Sequence, residues 1–220
     1  MALIPARGGS KGIVKKNLKK INSETLVGLA INCAKFSKIF HKVILSSDSQ
    51  SILNIGKKKK ITTHTRSRNL SSDSSNIYYT AKKIIDDFRL ENFKYMFILE
   101  PTSPLRQIKD IKKAHFLLKK KKFDSVCSIS EAHLNPFRAW RIIKDNLKPF
   151  ILSKLNYYPR QQLPKSYQIV GNVIAFDITK MIKQKKILFK KIGFFTVPKE
   201  RSVDVDDFFS LKIAKFFLLK

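Results

Sequence analysis

Two groups of residues, at opposite ends of the chain, carry the types and spacings that do chemistry. The first follows an apolar run at residues 1–4: Pro5-Ala6-Arg7-Gly8-Gly9-Ser10-Lys11-Gly12, then Lys15-Lys16-Asn17. Closely spaced glycines let a backbone approach a ligand and take positive φ where needed. The amide N–H groups of such a loop can converge on anionic oxygens, and Arg7, Lys11, Lys15 and Lys16 add cations around the same place. A strand ending in a glycine-rich basic loop reads as a phosphate cradle; the bland alternative is a flexible loop with solvated lysines. Neither G-x-x-x-x-G-K-[ST] nor G-x-G-x-x-G is present.

The second group is Ser202-Val203-Asp204-Val205-Asp206-Asp207. On an extended segment the Asp204 and Asp206 carboxylates point to one side, with Val203 and Val205 on the other. Two same-side carboxylates suit Mg²⁺, which binds a few carboxylates together with substrate phosphate oxygens. An acidic cap for a last helix fits equally well, and local sequence leaves both readings open. Asp48, in Ser46-Ser47-Asp48-Ser49, could touch a ribose hydroxyl or a metal, with a helix cap favoured locally. His41, His64, His115 and His133 lack partner spacing, and there is no nucleophile elbow or Cys/His pair.

The elements that must position these groups alternate. Strands are expected at residues 1–4, 42–45, 61–65, 95–99, 125–129, 169–176 and 194–197. Helices are expected at 23–36, capped by Asn22 or Ser23, at 49–56, closed by Gly56 and the lysine run, at about 75–88, capped by Asp73 or Ser74, at 108–118 and at 204–219. The polar stretch 66–75 reads as a loop. Strand–helix alternation predicts an α/β fold: a Rossmann-like, mostly parallel sheet flanked by helices, with right-handed crossovers. Ligands in such sheets bind at strand carboxyl ends. Residues 7–16, 46–49 and 100–106 all fall there, so one site is expected. Between 133 and 164 the pattern breaks; 138–143 alternates like a hairpin strand with Asp145-Asn146 as a turn signal. Gly171, inside a strand, marks a close approach by a ligand or another backbone.

Composition bounds the rest. The 220 residues, 43% of them apolar and 17 of them Phe, suffice for one large domain spanning 1–220. No run approaches a membrane span, and the short apolar start is not a signal peptide. Cys33 and Cys127 form neither a disulfide framework nor a zinc site, so a cytoplasmic location is expected. The net charge of +29, from 45 basic against 16 acidic residues, raises nucleic-acid binding. Yet the lysines are spread along the chain, and the runs at 57–60 and 119–122 fall at helix ends, where they complement the dipole. No specific nucleic-acid partner is expected.

Residues 4–12 with Lys16-Asn17 resemble the signature of the CMP-sialic acid synthetases, the acylneuraminate cytidylyltransferases. Ser46-Ser47-Asp48 resembles that family's Ser-Thr-Asp. Arg66 with Leu70-Ser71-Ser72-Asp73 is similar to its Arg…Leu-Ala-x-Asp loop, and Pro101-Thr102-Ser103-Pro104-Leu105-Arg106 to its Gln-Pro-Thr-Ser-Pro-Leu-Arg without the first residue. Pro159-Arg160-Gln161-Gln162-Leu163-Pro164 and Ser202-Val203-Asp204-Val205-Asp206 also match, in family order, so the likeness covers nearly the whole chain. The departures are Glu100 for Gln, Val170-Gly171-Asn172-Val173-Ile174 for Asn-Gly-Ala-Ile-Tyr, and no counterpart around Asn76 and Ile77 of a serine implicated in cytosine recognition.

The resemblance implies transfer of a cytidylyl group from CTP to a nine-carbon 2-keto sugar acid, releasing pyrophosphate. Sialic acid is the first acceptor expected, with legionaminic or pseudaminic acid the alternative; CMP-Kdo synthesis fits the first loop less well. An RNA-binding module and a silent paralogue are the remoter readings. It implies nucleotide contacts from Ala6, Arg7, Gly8, Gly9, Ser10, Lys11, Lys16, Asn17, Arg66 and Asp73. Sugar contacts would come from Glu100, Ser103, Arg106, Arg138, Arg160 and Gln161. Arg7, Lys16, Asp204 and Asp206 would be catalytic, and Mg²⁺ would sit on Asp204 and Asp206, deciding for metal the choice left open above. It also implies a homodimer in which the excursion at 133–165 builds the interface and reaches the partner's site.

Overall fold

The computed structural model describes residues 1–67, 69–71 and 76–219. In chain order the elements are β1 (Ala2–Pro5), β2 (Lys20–Ile21), β3 (Glu24–Thr25), α1 (Leu26–Phe36), β4 (Val43–Ser47), α2 (Gln50–Lys58), β5 (Thr62–Thr65), α3 (Ile77–Phe88), β6 (Tyr95–Ile98) and α4 (Ile108–Lys120). There follow β7 (Ser125–Glu131), β8 (Trp140–Ile143), β9 (Asn146–Pro149), β10 (Tyr167–Asp177), α5 (Ile178–Gln184), β11 (Ile192–Thr196) and α6 (Phe208–Leu219). Seven strands form the central sheet in the order β11-β7-β10-β6-β1-β4-β5. All neighbours run parallel except at β10, which is antiparallel to both β6 and β7.

Side chains alternate across the sheet as the pleat requires. Ala2, Ile4, Leu45 and Phe97 face one core with Ala30, Ile31, Ile111 and Ala114 of α1 and α4. Leu3, Ile44, Met96 and Phe176 face the other with Ala81, Ile84 and Ile85 of α3 and Met181 of α5. A third cluster, Ile13, Ile21, Leu26, Val205, Leu211 and Ala214, ties the first loop to α6 and to the segment holding Asp204 and Asp206. The carboxyl ends of β1, β4 and β6 therefore open on one edge, where the first and last loops meet.

Several local expectations are corrected. Thr25, not Asn22 or Ser23, caps α1 by accepting the Gly28 N–H; Asn22 instead takes φ 56° in the turn between β2 and β3. Asn76 caps α3, whereas Asp73 and Ser74 lie outside the described residues. Gly56 lies inside α2, pressed against Leu45 and Thr63, and Lys60 takes the left-handed turn after the helix. The last helix begins at Phe208 rather than Asp204. The short hairpin between β7 and β10 pairs β8 with β9, with left-handed Lys144 and Asp145 at its turn. Lys57, Lys58, Lys119 and Lys120 do occupy last helical turns.

Candidate active site

A cleft of about 320 Å³ lies over the carboxyl ends of the strands, and its walls include Arg7, Ser10, Lys16, Asn17, Arg66, Glu100, Asp204 and Asp206. Residues nearly two hundred positions apart thus share one cavity. The first loop is fixed from behind. The Ala6 N–H donates to Ser46 O at 2.9 Å, and the Gly8 N–H donates to Asp48 Oδ1 at 2.8 Å. Asp48 therefore anchors the loop rather than capping α2, whose N-cap position is Ser49. Asn17 donates through Nδ2 to Arg7 O at 2.8 Å.

Gly8 and Gly12 serve close approach, not positive φ, which no glycine among the described residues adopts. A methyl group on Gly12 would overlap the Asp206 carbonyl oxygen, and one on Gly8 would press on Ser49. Gly12 is what lets the first loop lie against the acidic segment.

That segment is held extended. Val205 is fully buried, and its N–H donates to Thr102 O at 2.8 Å. The capping role falls to Asp207, whose Oδ1 accepts the Ser210 N–H at 2.7 Å. Asp204 and Asp206 are thereby left facing the cleft. Lys16 Nζ lies 2.7 Å from Asp206 Oδ1.

The charges in the cleft are in tension. Asp204 keeps solvent-exposed surface, yet protein crowded around its carboxyl raises the pKa; the Thr102 hydroxyl opposes the rise and Asp206 adds to it. Glu100, two residues past β6, is pushed up to about 7, first by burial, then by Asp204, with Arg106 and Lys16 opposing. Burial lowers the Arg66 guanidinium, against the pull of Asp48. Three buried polar atoms on the wall, Ser10 Oγ, Asn17 Oδ1 and Arg66 Nε, have no protein partner. Buried polar groups are rarely left this way, and all three belong to residues that line the cleft.

Among the described residues no three His, Cys, Asp or Glu side chains cluster to hold a metal unaided. Asp204 and Asp206 fit a cation that takes its other ligands from phosphate and water, as Mg²⁺ does.

Other expected residues lie elsewhere. Ser103 and Arg106 are buried behind the cleft wall. The Arg106 guanidinium is spent on the carbonyls of Asn172, Glu100 and Gly171, so it shapes the site from beneath rather than lining it. Gly171 allows this packing, since a methyl there would overlap the Glu100 carboxylate and Ser103. Gly9 and Lys11 are exposed on the first loop. Arg138, Arg160 and Gln161 are exposed on the excursion, away from this cleft; Arg160 lies 3.9 Å from Glu131. Asp73 is outside the described residues. Thr80, Ser71 and Thr102 line the cleft without having been expected there.

Known proteins resemble the chain in sequence and in fold. The chain is 29% identical over 229 residues to post-translational flagellin modification protein B of Campylobacter coli, covering 99% of this chain and 94% of that one. It is 28% identical over 222 residues to a pseudaminic acid cytidylyltransferase of Campylobacter jejuni, covering 98% and 94%. To an N-acylneuraminate cytidylyltransferase of Streptococcus agalactiae it is 27% identical over 208 residues, 94% of this chain and half the length of that relative. Among solved structures, a CMP:2-keto-3-deoxy-manno-octonic acid synthetase complexed with CTP shares the fold, with TM-score 0.71, 12% identity and coverage of 99% and 97%. A 4-diphosphocytidyl-2C-methyl-D-erythritol synthase from Anaerococcus prevotii follows at TM-score 0.66 and 13% identity, covering 100% and 95%. Residues 1–199 match the profile of the cytidylyltransferases, and the chain belongs to that family of CTP-dependent nucleotidyltransferases.

Proposed function

We propose that this cleft transfers the cytidylyl group of CTP to the anomeric hydroxyl of a nonulosonic acid. The observation that carries the reading is the meeting of a cationic loop and a carboxylate pair across one cavity, with Lys16 and Asp206 in contact at 2.7 Å. The hydroxyl oxygen bonds to the α-phosphorus as the bond to the bridging oxygen breaks, and pyrophosphate leaves. Charge grows on the leaving group, so catalysis is positioning plus charge neutralisation. Arg7, Lys16 and the loop amides hold the triphosphate. Asp204 and Asp206 would hold Mg²⁺, which when bound neutralises phosphate charge and acidifies the attacking hydroxyl.

Sialic-type and pseudaminic-type acceptors are both supported, because relatives of each name resemble the chain at 27–28% identity. Arg138 and Arg160 are assigned to the sugar carboxylate, which a planar guanidinium pairs bidentately. Both project from the excursion, so the proposed working unit is a homodimer in which each arm serves the other subunit. Pyrophosphate release with CTP, Mg²⁺ and a panel of sialic, legionaminic and pseudaminic acids tests the reading. CTP with one of these acids is expected to react far faster than ATP or GTP. No release with any sugar, or equal rates with all nucleotides, overturns it.

A further inference from the structure

We propose that the Asp110–Arg201 ion pair is the positioning element that sets the Asp204/Asp206 pair for cation binding, an inference that rests on the metal assignment above. Asp110 sits in the first turn of α4 and is 3% exposed. Its Oδ2 accepts the Gln107 N–H at 2.9 Å and Arg201 Nη1 at 2.6 Å, and its Oδ1 accepts Arg201 Nη2 at 3.1 Å. The pairing is bidentate, the geometry that gives an Arg–carboxylate contact direction as well as strength. The Arg201 carbonyl accepts Asn172 Nδ2 at 3.3 Å, and the Asn172 carbonyl accepts Arg106 Nε. One carboxylate therefore joins the start of α4, the irregular stretch of β10 and the segment entering Ser202-Val203-Asp204.

Neither Asp110 nor Arg201 lines the cleft. Their effect on chemistry must pass through the segments they join. Arg201 stands three residues before Asp204, and on the far side Val205 is tied to Thr102. The brace and this tie fix the acidic segment against the loop that carries Glu100 and Thr102. Stability alone does not call for the pair, since well-packed apolar residues commonly do as well as a buried ion pair. Fixing geometry does call for it.

The test compares Mn²⁺ affinity of the nucleotide-free protein by water-proton relaxation, the Mg²⁺ dependence of turnover, and CTP binding in EDTA by calorimetry. Arg201→Lys keeps the charge but loses the fork. It should weaken Mn²⁺ binding by about 10–100-fold, the usual range for residues that orient metal ligands. It should raise the Mg²⁺ needed for half-maximal turnover by a similar factor and leave CTP binding in EDTA unchanged. Arg201→Met should go further; if it does not fold, Arg201→Lys decides. A folded Arg201→Lys with wild-type Mn²⁺ affinity and Mg²⁺ dependence overturns the proposal. If Asp204→Asn and Asp206→Asn bind Mn²⁺ as the wild type does, the metal assignment itself fails, whatever Arg201 does.

Discussion

Glu100 follows β6 by two residues on the wall of the cleft, within reach of the fields of Asp204 and Asp206. Its folded-state pKa of about 7 stands above the ordinary carboxylate value of 4.5, so the fold favours its protonated form. The stability this contributes is complete below pH 4.5 and is lost as pH rises through about 7, a loss on the order of 3 kcal/mol. In metal-free protein, urea unfolding of Glu100→Gln against wild type should show a gap that widens in favour of Gln between pH 4.5 and 7. A gap independent of pH would mean that Glu100 titrates in the folded protein as it does in the unfolded chain. Above pH 7 an ionised Glu100 only accepts, whereas a glutamine donates as well as accepts, so assayed there the same variant should reorder kcat/KM among the three sugar acids. An unchanged ranking would remove Glu100 from acceptor recognition. The neighbouring aspartates separate equally clearly. Asp207 caps α6, and Asp207→Ala should lower the melting temperature by fraying the start of that helix. The Asp206 side chain is 73% exposed, and Asp206→Ala should abolish turnover with the melting temperature nearly unchanged. Early melting with retained activity would return Asp206 to a structural role.

At the scale of elements, the first and last loops work as one unit because Gly12 has no side chain. In Gly12→Ala the methyl must displace the Asp206 backbone, and misplacing reacting groups by about 1 Å can cost on the order of 100-fold in rate. Gly12→Ala should therefore lose kcat/KM for CTP by about that factor while the two main cores stay packed; wild-type kinetics would show that the loops do not need this contact. This contact also marks how far the sequence was readable. The buried strands β1, β4 and β6 were legible as short apolar runs bounded by turn residues, and the unusual loops after them drew attention because core packing does not explain glycines and prolines there. The caps were misplaced because Asn22, Ser23 and Thr25 are all competent and only the tertiary position of β3 selects Thr25. The two-residue strands β2 and β3 and the seven-residue α5 are too short to show a period. The antiparallel course of β10 is set by pairing, not by its own residues. Asp110 and Arg201, 91 positions apart, carry no local signal. Arg106 read as a sugar ligand because its motif was recognised, whereas its burial among carbonyls depends on the bulge of β10.

The whole molecule leaves the excursion incomplete when the chain is alone. Ile142 is 76% exposed, Leu147 64%, Phe150 61% and Leu152 91%. An apolar surface of this extent marks an interaction site more often than a solvated face. Arg138 and Arg160 ride on the same segment without reaching their own chain's cleft. Both observations have one explanation if two copies exchange arms. In a two-fold dimer each arm then meets the partner's cleft, covering the apolar residues and delivering the guanidinium groups together. Sedimentation should show a dimer, and Arg160→Ala should weaken sugar binding while calorimetry finds the CTP site intact. The decisive measurement mixes two defective proteins, Asp206→Ala and Arg160→Ala, after co-refolding. A heterodimer holds one cleft with an intact Asp206 served by the partner's intact Arg160, and one cleft with neither. With random pairing, half the dimers are mixed and half their sites are whole, so activity should return to about one quarter of wild type. If each arm instead serves its own cleft, no whole site forms in any pairing and the mixture stays as inactive as its parents.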